Sequence, residues 1–369
     1  MNRSKFLGIS LLALFMSGCA NEGNQQPSNL NLASPSQPLS YPASVGNYRA
    51  EQVSGDYANY AALNQFIEHM VKDHGFDRQY LLGLFSNAKR KQWTLNYLNN
   101  SDKTLKGKPG KGSWTKYRGQ FMDDRHINTG VIFWQQHQQS LEKASLQYGV
   151  PPEYILGIMA VETTFGGFVG NHRVLDALTT LSFDYARRGD YFRTELEKFL
   201  LMTRNEALDP AKPVGSFAGA MGLGQFMPSS FLNWAVDFNS DGRRDLWNPD
   251  DAIGSIARYF AEHGWQSGQP VVSATKGQSA ATPKLEPGLE HPYDLQNLRQ
   301  AGIEIAGDCR CDYPLRLLML RHDKNDQYLI GHPNFYVITR YNQSTHYAMA
   351  VHELAQVIKS RYTASQGRS

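Results

Sequence analysis
Pro151-Pro152-Glu153-Tyr154-Ile155-Leu156-Gly157-Ile158-Met159-Ala160-Val161-Glu162-Thr163 is the stretch on which the reading of this chain turns. The proline pair suits a helix start, because a first-turn residue has no intrahelical use for its N–H. From Tyr154 to Val161 nearly every residue is apolar, so the spacing predicts a helix buried around most of its circumference. Glu162 falls on the same face as Ile155, Ile158 and Met159, with no Lys or Arg within a helical turn on either side. Burial disfavours the charged form of a carboxyl, and a shift of about two pKa units corresponds to about 2.7 kcal/mol. A carboxyl so placed keeps its proton near neutral pH, as a general acid must. The helix pattern alone leaves a second reading open, in which Glu162 ends the helix at the surface or joins a buried hydrogen-bonded network.

Outward from this helix, the 369-residue chain is long enough for two or three domains, and its 41% hydrophobic content is that of a globular protein. A formal charge of +3, with no dense basic face on a recognition helix or stacking platform, excludes nucleic acid as a leading partner. Arg3 and Lys5 precede an apolar run from Phe6 to Phe15, followed by Ser17-Gly18-Cys19-Ala20. This is a signal peptide, 1–18, too short to span a bilayer as a stable helix. Residues 19–54, rich in Asn, Gln, Ser and Pro and almost uncharged, read as a flexible tether.

Residues 55–148 read as a helical domain. Leu63, Phe66, Ile67, Met70 and Val71 recur at helical spacing up to Gly75, and Val131, Trp134, Leu141 and Tyr148 up to Gly149. Lys89, Arg90, Lys91, Lys103, Lys106, Lys108, Lys111, Lys116 and Arg118 face only Asp102 locally, with Trp93, Trp114 and Tyr117 interleaved. A solvated loop and a groove wall for acidic peptides and sugar rings both fit this pattern. Residues 149–265 read as a helical core, with Tyr191, Phe192, Leu196, Phe199 and Leu200 forming a stripe after Asp190 as N-cap. Val271-Val272, Leu315 to Leu320, Tyr328-Leu329-Ile330 and Tyr336 to Thr339 are β-prone, and 266–334 is expected to be a small strand-containing insertion. Residues 335–369 return to the core, with a final helix from about Thr345 to Lys359. The fold class is thus mainly α, α+β, with no internal repeat.

Thr163-Thr164-Phe165-Gly166-Gly167 is expected to turn the chain sharply at its glycines, beside Glu162. In Ser216-Phe217-Ala218-Gly219-Ala220-Met221-Gly222-Leu223-Gly224-Gln225-Phe226-Met227-Pro228, small residues permit close approach of a sugar. Gln225 there offers both donor and acceptor to an N-acetyl group. A tight interhelical turn explains those glycines equally well. Asp237-Phe238-Asn239-Ser240-Asp241-Gly242 matches the first half of an EF-hand loop, but its twelfth position is Asn248, and Asp251 also fits as a helix cap. The spacing of His346 and His352 does not match a helical metal pair, and both are read as ordinary.

Taken together, Val161-Glu162-Thr163, the run from Gly215 to Gly222, Gly224-Gln225-Phe226-Met227-Pro228-Ser229-Ser230, and Arg340-Tyr341-Asn342-Gln343-Ser344-Thr345-His346-Tyr347-Ala348 closely resemble the membrane-bound B type of lytic murein transglycosylase. The likeness runs from roughly residue 60 to 360. It implies a lysozyme-like core and non-hydrolytic cleavage of the MurNAc-GlcNAc bond of peptidoglycan glycan strands, with no organic cofactor. Carried over residue by residue, the resemblance makes Glu162 the single acid and base, and Ser216 the hydroxyl that positions it. It places Gln225, Tyr259, Tyr341 and Tyr347 in the groove, and Arg187 and Arg188 against the stem peptide. It also implies a structural Ca2+ held by Asp237, Asn239, Asp241, the carbonyl of Arg243, and Asp251.

The residues before Cys19 resemble a lipobox, although Met16 stands where leucine is commoner. Resemblance to bacterial lipoproteins implies acylation of Cys19, a membrane anchor, and a periplasmic place on the inner face of the outer membrane. Cys309 and Cys311, one residue apart, leave their pairing open. A hydrolytic muramidase and a non-catalytic calcium-binding wall-attachment lipoprotein are the competing functions. Asp176, Asp184 and Asp190 lie downstream of Glu162, but the sequence gives none of them a position that marks it as a nucleophile or water base.

Overall fold
A computed structural model describes residues 43–104, 109–276, 284–307 and 311–367. The expected signal peptide, Cys19 and the tether up to residue 42 lie outside the described residues, as do Lys106, Lys108 and Cys309. Cys311 is disulfide-bonded.

The helices run α1 Ala61–His74, α2 Arg78–Ser86, α3 Gln92–Thr104, α4 Ser113–Arg118, α5 Asp124–Gln136, α6 Gln138–Tyr148 and α7 Pro152–Thr163. Gly75 and Gly149 close α1 and α6 in the left-handed conformation. The stripe from Val131 to Tyr148 belongs to two helices, because the chain breaks at His137 (φ −118°). Strand β1 His172–Arg173 leads into α8 Val174–Asp184 and α9 Gly189–Asn205, and β2 Val214–Gly215 pairs back antiparallel on β1. Arg188, not Asp190, occupies the N-cap of α9. Asp190 sits one residue inside the helix and pairs with Arg193 instead. Helices α10 Pro228–Trp234 and α11 Pro249–Glu262 follow.

α7 is the central element. Every residue from Glu153 to Thr163 is buried, and the helix packs against α14 Thr345–Gln366, α11, α5 and α6. Gly157 makes the α14 crossing close, since a Cβ there would lie 2.7 Å from the carbonyl oxygen of Val351. Ala348, Val351, Leu354, Ala355 and Ile358 are buried as expected, and the helix continues past Lys359 to Gln366.

Strands β3 Val272–Lys276, β4 Pro292–Tyr293, β5 Glu304–Ile305, β6 Leu315–Arg321 and β7 Asp326–Gly331 form one antiparallel sheet in the order β4-β6-β7-β3-β5, with α12 Leu295–Gln300 beside it. Leu317 pairs with Ile330 and Leu318 with Leu329. The period of two sends Leu315, Leu317 and Ile330 to a small core with Leu298, and Leu318, Leu320 and Leu329 to the main core. Tyr336 to Thr339, β-prone by composition, lies in helix α13 Pro333–Tyr341. Pro333 starts that helix, and burial of Phe335, Val337 and Ile338 in the main core overrides their strand preference.

Candidate active site
The end of α7 brings Glu162 in among phenols. The carboxyl is 5% exposed, and the hydroxyl of Tyr347, on the first turn of α14, donates to its Oε1 at 2.6 Å. Burial pushes the Glu162 carboxyl up from 4.5 to about 7, and the Tyr347 hydrogen bond pulls the other way. The hydroxyls of Tyr347, Tyr341 and Tyr117 are raised by burial first and then by the neighbouring Glu162. These four side chains therefore share one electrostatic environment.

Beyond Glu162 the chain turns through left-handed backbone at Thr164 (φ 49°) and Phe165 (φ 56°), two non-glycine residues, before Gly166. Gly166 (φ 89°) is left-handed as expected, and the turn extends over two non-glycine residues before it. Side-chain anchoring holds the conformation: Thr163 Oγ1 accepts the Gly166 N–H at 3.0 Å and donates to the Leu223 carbonyl at 2.9 Å. Left-handed non-glycine backbone of this kind persists where surroundings over-determine it.

The opposite wall is the segment after β2. Gln225 Nε2 donates to the Gly222 carbonyl at 2.9 Å and to that of Val169 at 3.2 Å, and Tyr341 donates to the Gly224 carbonyl at 2.6 Å. Three side chains, from Gln225, Thr163 and Tyr341, thus hold three consecutive carbonyls of residues 222 to 224. Both amide protons of Gln225 are committed to backbone, so the expected donor role is corrected and only its acceptor oxygen remains for a ligand. Gly224 admits Tyr341, because a Cβ there would stand 2.9 Å from the phenol oxygen. Ser216 Oγ accepts the N–H groups of Ala220 at 3.0 Å and Ala218 at 3.3 Å. With two lone pairs so used, the hydroxyl keeps its proton to donate.

Tyr259 is buried, and its hydroxyl donates to the Arg340 carbonyl at 2.7 Å while its ring packs edge-on against Tyr341 at 4.8 Å. Its visible work is to set Tyr341. Arg187 and Arg188 lie immediately before α9, with the Arg188 guanidinium 4.2 Å over the Tyr191 ring. Tyr117 also stands beside Glu162, a closeness that its place in the sequence does not reveal. It packs with Trp114 and with His346, whose imidazole pKa is lowered by burial.

Much of the basic stretch is paired by acids distant in sequence. Arg90 meets Asp184 at 3.0 Å, Lys91 meets Asp176 at 2.9 Å, and Arg118 meets Glu353 at 2.5 Å. Asp176 and Asp184 are engaged in these ion pairs, and Asp190 in a local one with Arg193. Trp114 is buried, while Trp93 is half exposed and stacks on Tyr97 and His172.

In the loop before α11, Asp237 accepts the N–H groups of Asp241 at 3.0 Å and Gly242 at 2.8 Å, and Asp241 accepts that of Arg243 at 3.0 Å. Asp251, fully buried, accepts from Phe238 at 2.7 Å, Asn239 at 3.3 Å and Asp245 at 2.8 Å. Asn248, not Asp251, caps α11. Burial raises the Asp251 carboxyl, and the like charge of Asp237 raises it further. An all-oxygen donor set with crowded negative charge suits a hard cation such as calcium.

A buried acid, a phenolic cleft and a glycine-rich wall on a helical core define a glycan-cleaving enzyme of the lysozyme-like class. The family described as transglycosylase SLT domain matches residues 58–356, and the chain belongs to that family of lytic transglycosylases. It is 44% identical over 355 residues, 95% of its own length and 97% of the relative's, to membrane-bound lytic murein transglycosylase B of Escherichia coli strain K12. The structure of the E. coli lytic transglycosylase Slt35 in complex with calcium superposes with a TM-score of 0.79 at 47% identity, covering 85% of this chain and 97% of that one. SltB3 of Pseudomonas aeruginosa, in complex with NAG-anhNAM-pentapeptide, gives a TM-score of 0.69 at 25% identity, covering 81% of this chain and 79% of that one.

Proposed function
We propose that this lytic transglycosylase cleaves the MurNAc-GlcNAc bond of peptidoglycan without water, with Glu162 acting first as acid and then as base. The observation that carries the reading is the burial of Glu162 against Tyr347, which holds its carboxyl near 7. A carboxyl raised toward neutral pH can give and then retake a proton, as this role requires.

Glu162 gives its proton to the glycosidic oxygen as the C1–O bond breaks, and the carbonyl oxygen of the substrate's own N-acetyl group closes on C1. The Glu162 carboxylate then takes the proton of the MurNAc C6 hydroxyl, whose oxygen displaces the acetamido oxygen from C1. The product is a 1,6-anhydro ring, no water is consumed, and the acid is restored. The Ser216 proton and the Tyr347 phenol position the carboxyl, and the Gln225 oxygen accepts from an N-acetyl N–H. Arg187 and Arg188 meet the stem-peptide carboxylates. Engagement of Asp176, Asp184 and Asp190 in other pairs favours this route over one with a second carboxylate. The complex of SltB3 with NAG-anhNAM-pentapeptide supports the same product class.

Asp237, Asn239, Asp241, Asp251 and the Arg243 carbonyl would hold Ca2+, a structural ion that ties the loop to α11. The calcium complex of Slt35 supports this. Among the described residues no helix is long and apolar enough to cross a membrane. An acylated Cys19 would tether the enzyme to the inner face of the outer membrane, in keeping with the membrane-bound name of the E. coli relative.

Digestion of purified peptidoglycan by wild type and Glu162→Gln, with products weighed, tests the reaction. Wild type is expected to release ends lighter by one water than reducing ends, and the variant almost none. Reducing ends from wild type would make the enzyme a hydrolytic muramidase. Full activity of the variant would remove Glu162 from the chemistry. Thermal melting in calcium against chelator is expected to show a higher midpoint with calcium, and equal midpoints would remove the ion.

A further inference from the structure
Away from the cleft and the 237–251 loop, His69 and His74 on α1 converge on Glu197 of α9. His69 Nε2 lies 3.1 Å from Glu197 Oε2, and His74 Nε2 lies 3.0 Å from Oε1. The two imidazoles stand edge to face, their centroids 5.4 Å apart at 86°. The three ligand atoms all fall within 4.8 Å of one another, the one His, Cys, Asp and Glu grouping of this kind among the described residues. Asp73 Oδ2 lies 2.6 Å from the other ring nitrogen of His69.

That last contact fixes the chemistry. Facing a carboxylate, His69 Nδ1 carries a proton, so in the neutral ring Nε2 presents a bare lone pair. At 3.1 Å that lone pair faces a carboxylate oxygen, which is repulsive unless something positive lies between them. A second proton would make an ion pair, and a metal ion would use the same atoms. A second histidine aimed at the same carboxylate gives such an ion three protein ligands. Asp73 also stands where ligating histidines commonly find their outer carboxylate. Two imidazoles and one carboxylate with a position left for water form a donor set suited to zinc. The side chains are 42%, 23% and 19% exposed in the order His69, His74, Glu197, so an ion can enter from solvent. Lys198 Nζ, 3.4 Å from Glu197 Oε1, is the competing cation, on a flexible stem that can swing aside.

We propose that His69, His74 and Glu197 bind a divalent transition-metal ion of the zinc type, which cross-links α1 to α9. Its role is structural, since none of the three residues belongs to the glycan-cleaving machinery.

Titration of the full chain with ZnCl2, in saturating calcium so that the 237–251 loop is not the site measured, is the test. One ion per chain is expected at this site. His74→Ala and Glu197→Gln should each weaken binding at least about tenfold, and Asp73→Asn about tenfold, as loss of an outer carboxylate does. Co2+ in place of zinc should give the visible absorption of a four-coordinate ion, absent in the His69→Ala/His74→Ala double variant. Circular dichroism and wall-cleaving activity check that the variants fold, and Glu197→Gln, which keeps the side-chain volume, decides the matter if the alanine variants do not. Absence of zinc binding by wild type overturns the proposal, as does undiminished binding by the double variant or by Glu197→Gln.

Discussion
Glu162 and Asp251 are both carboxylates buried on helices of one core, and burial is the leading cause that raises each. Their partners differ in kind. Asp251 accepts three backbone N–H groups, which can only donate and so favour the ionised acid. Glu162 meets the phenol of Tyr347, which can donate to a carboxylate or accept from a carboxylic acid. Fixed donors make a permanent strut. A partner able to reverse its role suits an acid that cycles between two states, and that contrast separates the scaffold carboxylate from the reacting one more sharply than burial does.

Glu162→Gln tests the contrast most severely. Loss of a general acid commonly costs 10²- to 10⁴-fold, and a fall in anhydro-product release of about 10³-fold is expected. Stability should move the other way. With its folded pKa of about 7 above the unfolded 4.5, Glu162 supports folding most below pH 4.5 and loses that support as pH rises through 7. The difference corresponds to about 3 kcal/mol, so the variant should be more stable than wild type at pH 8 by up to that amount and not at pH 4. Urea unfolding at the two pH values measures it.

Asp251→Ala should do the reverse, leaving three N–H groups without their acceptor, that of buried Phe238 among them. A loss of about 3 kcal/mol is expected, together with any calcium-dependent shift in melting. Glycan cleavage per folded molecule should change far less than in Glu162→Gln, and a variant as stable as wild type would end the description of Asp251 as a strut. Gly224→Ala attacks the cleft wall instead. Its Cβ, 2.9 Å from the Tyr341 oxygen and 3.1 Å from Ile256, should cost about 2 kcal/mol by overpacking and displace the phenol. Thermal melting with parallel activity assays would register both effects.

The sequence made one half of this contrast legible. An acid amid apolar residues after Pro151-Pro152 announced α7 and the pKa of Glu162, because a helix buried all round leaves a carboxyl nowhere wet to go. Glycines at 75 and 149 likewise marked helix ends, since left-handed closure has a residue preference. What stayed hidden depends on distant partners. Nothing near Arg90 or Lys91 in sequence points to Asp184 or Asp176, so the basic stretch looked uncompensated. Nothing in Gln225 tells that both its amide protons go to carbonyls. The left-handed turn at Thr164 and Phe165 defies residue preference because Thr163 reaches Leu223, sixty positions on.

Tyr347→Phe is the smallest and most discriminating change. It removes one 2.6 Å hydrogen bond and little volume, so stability should fall by only about 1 kcal/mol. That hydrogen bond lowers the Glu162 carboxyl against the larger effect of burial, so its loss should raise the carboxyl above 7. The alkaline limb of the pH profile, where the acid loses its proton, should then shift to higher pH. Acid-form protonation would persist further into the alkaline range, while the carboxylate would lose the donor that steadies it when it acts as base. Cleavage rates measured from pH 5 to 9 against wild type should therefore show a lower maximum with a displaced upper limb. A lower maximum with an unmoved limb would mean that Tyr347 only packs the cleft, and the phenol's reversible role would fall with it.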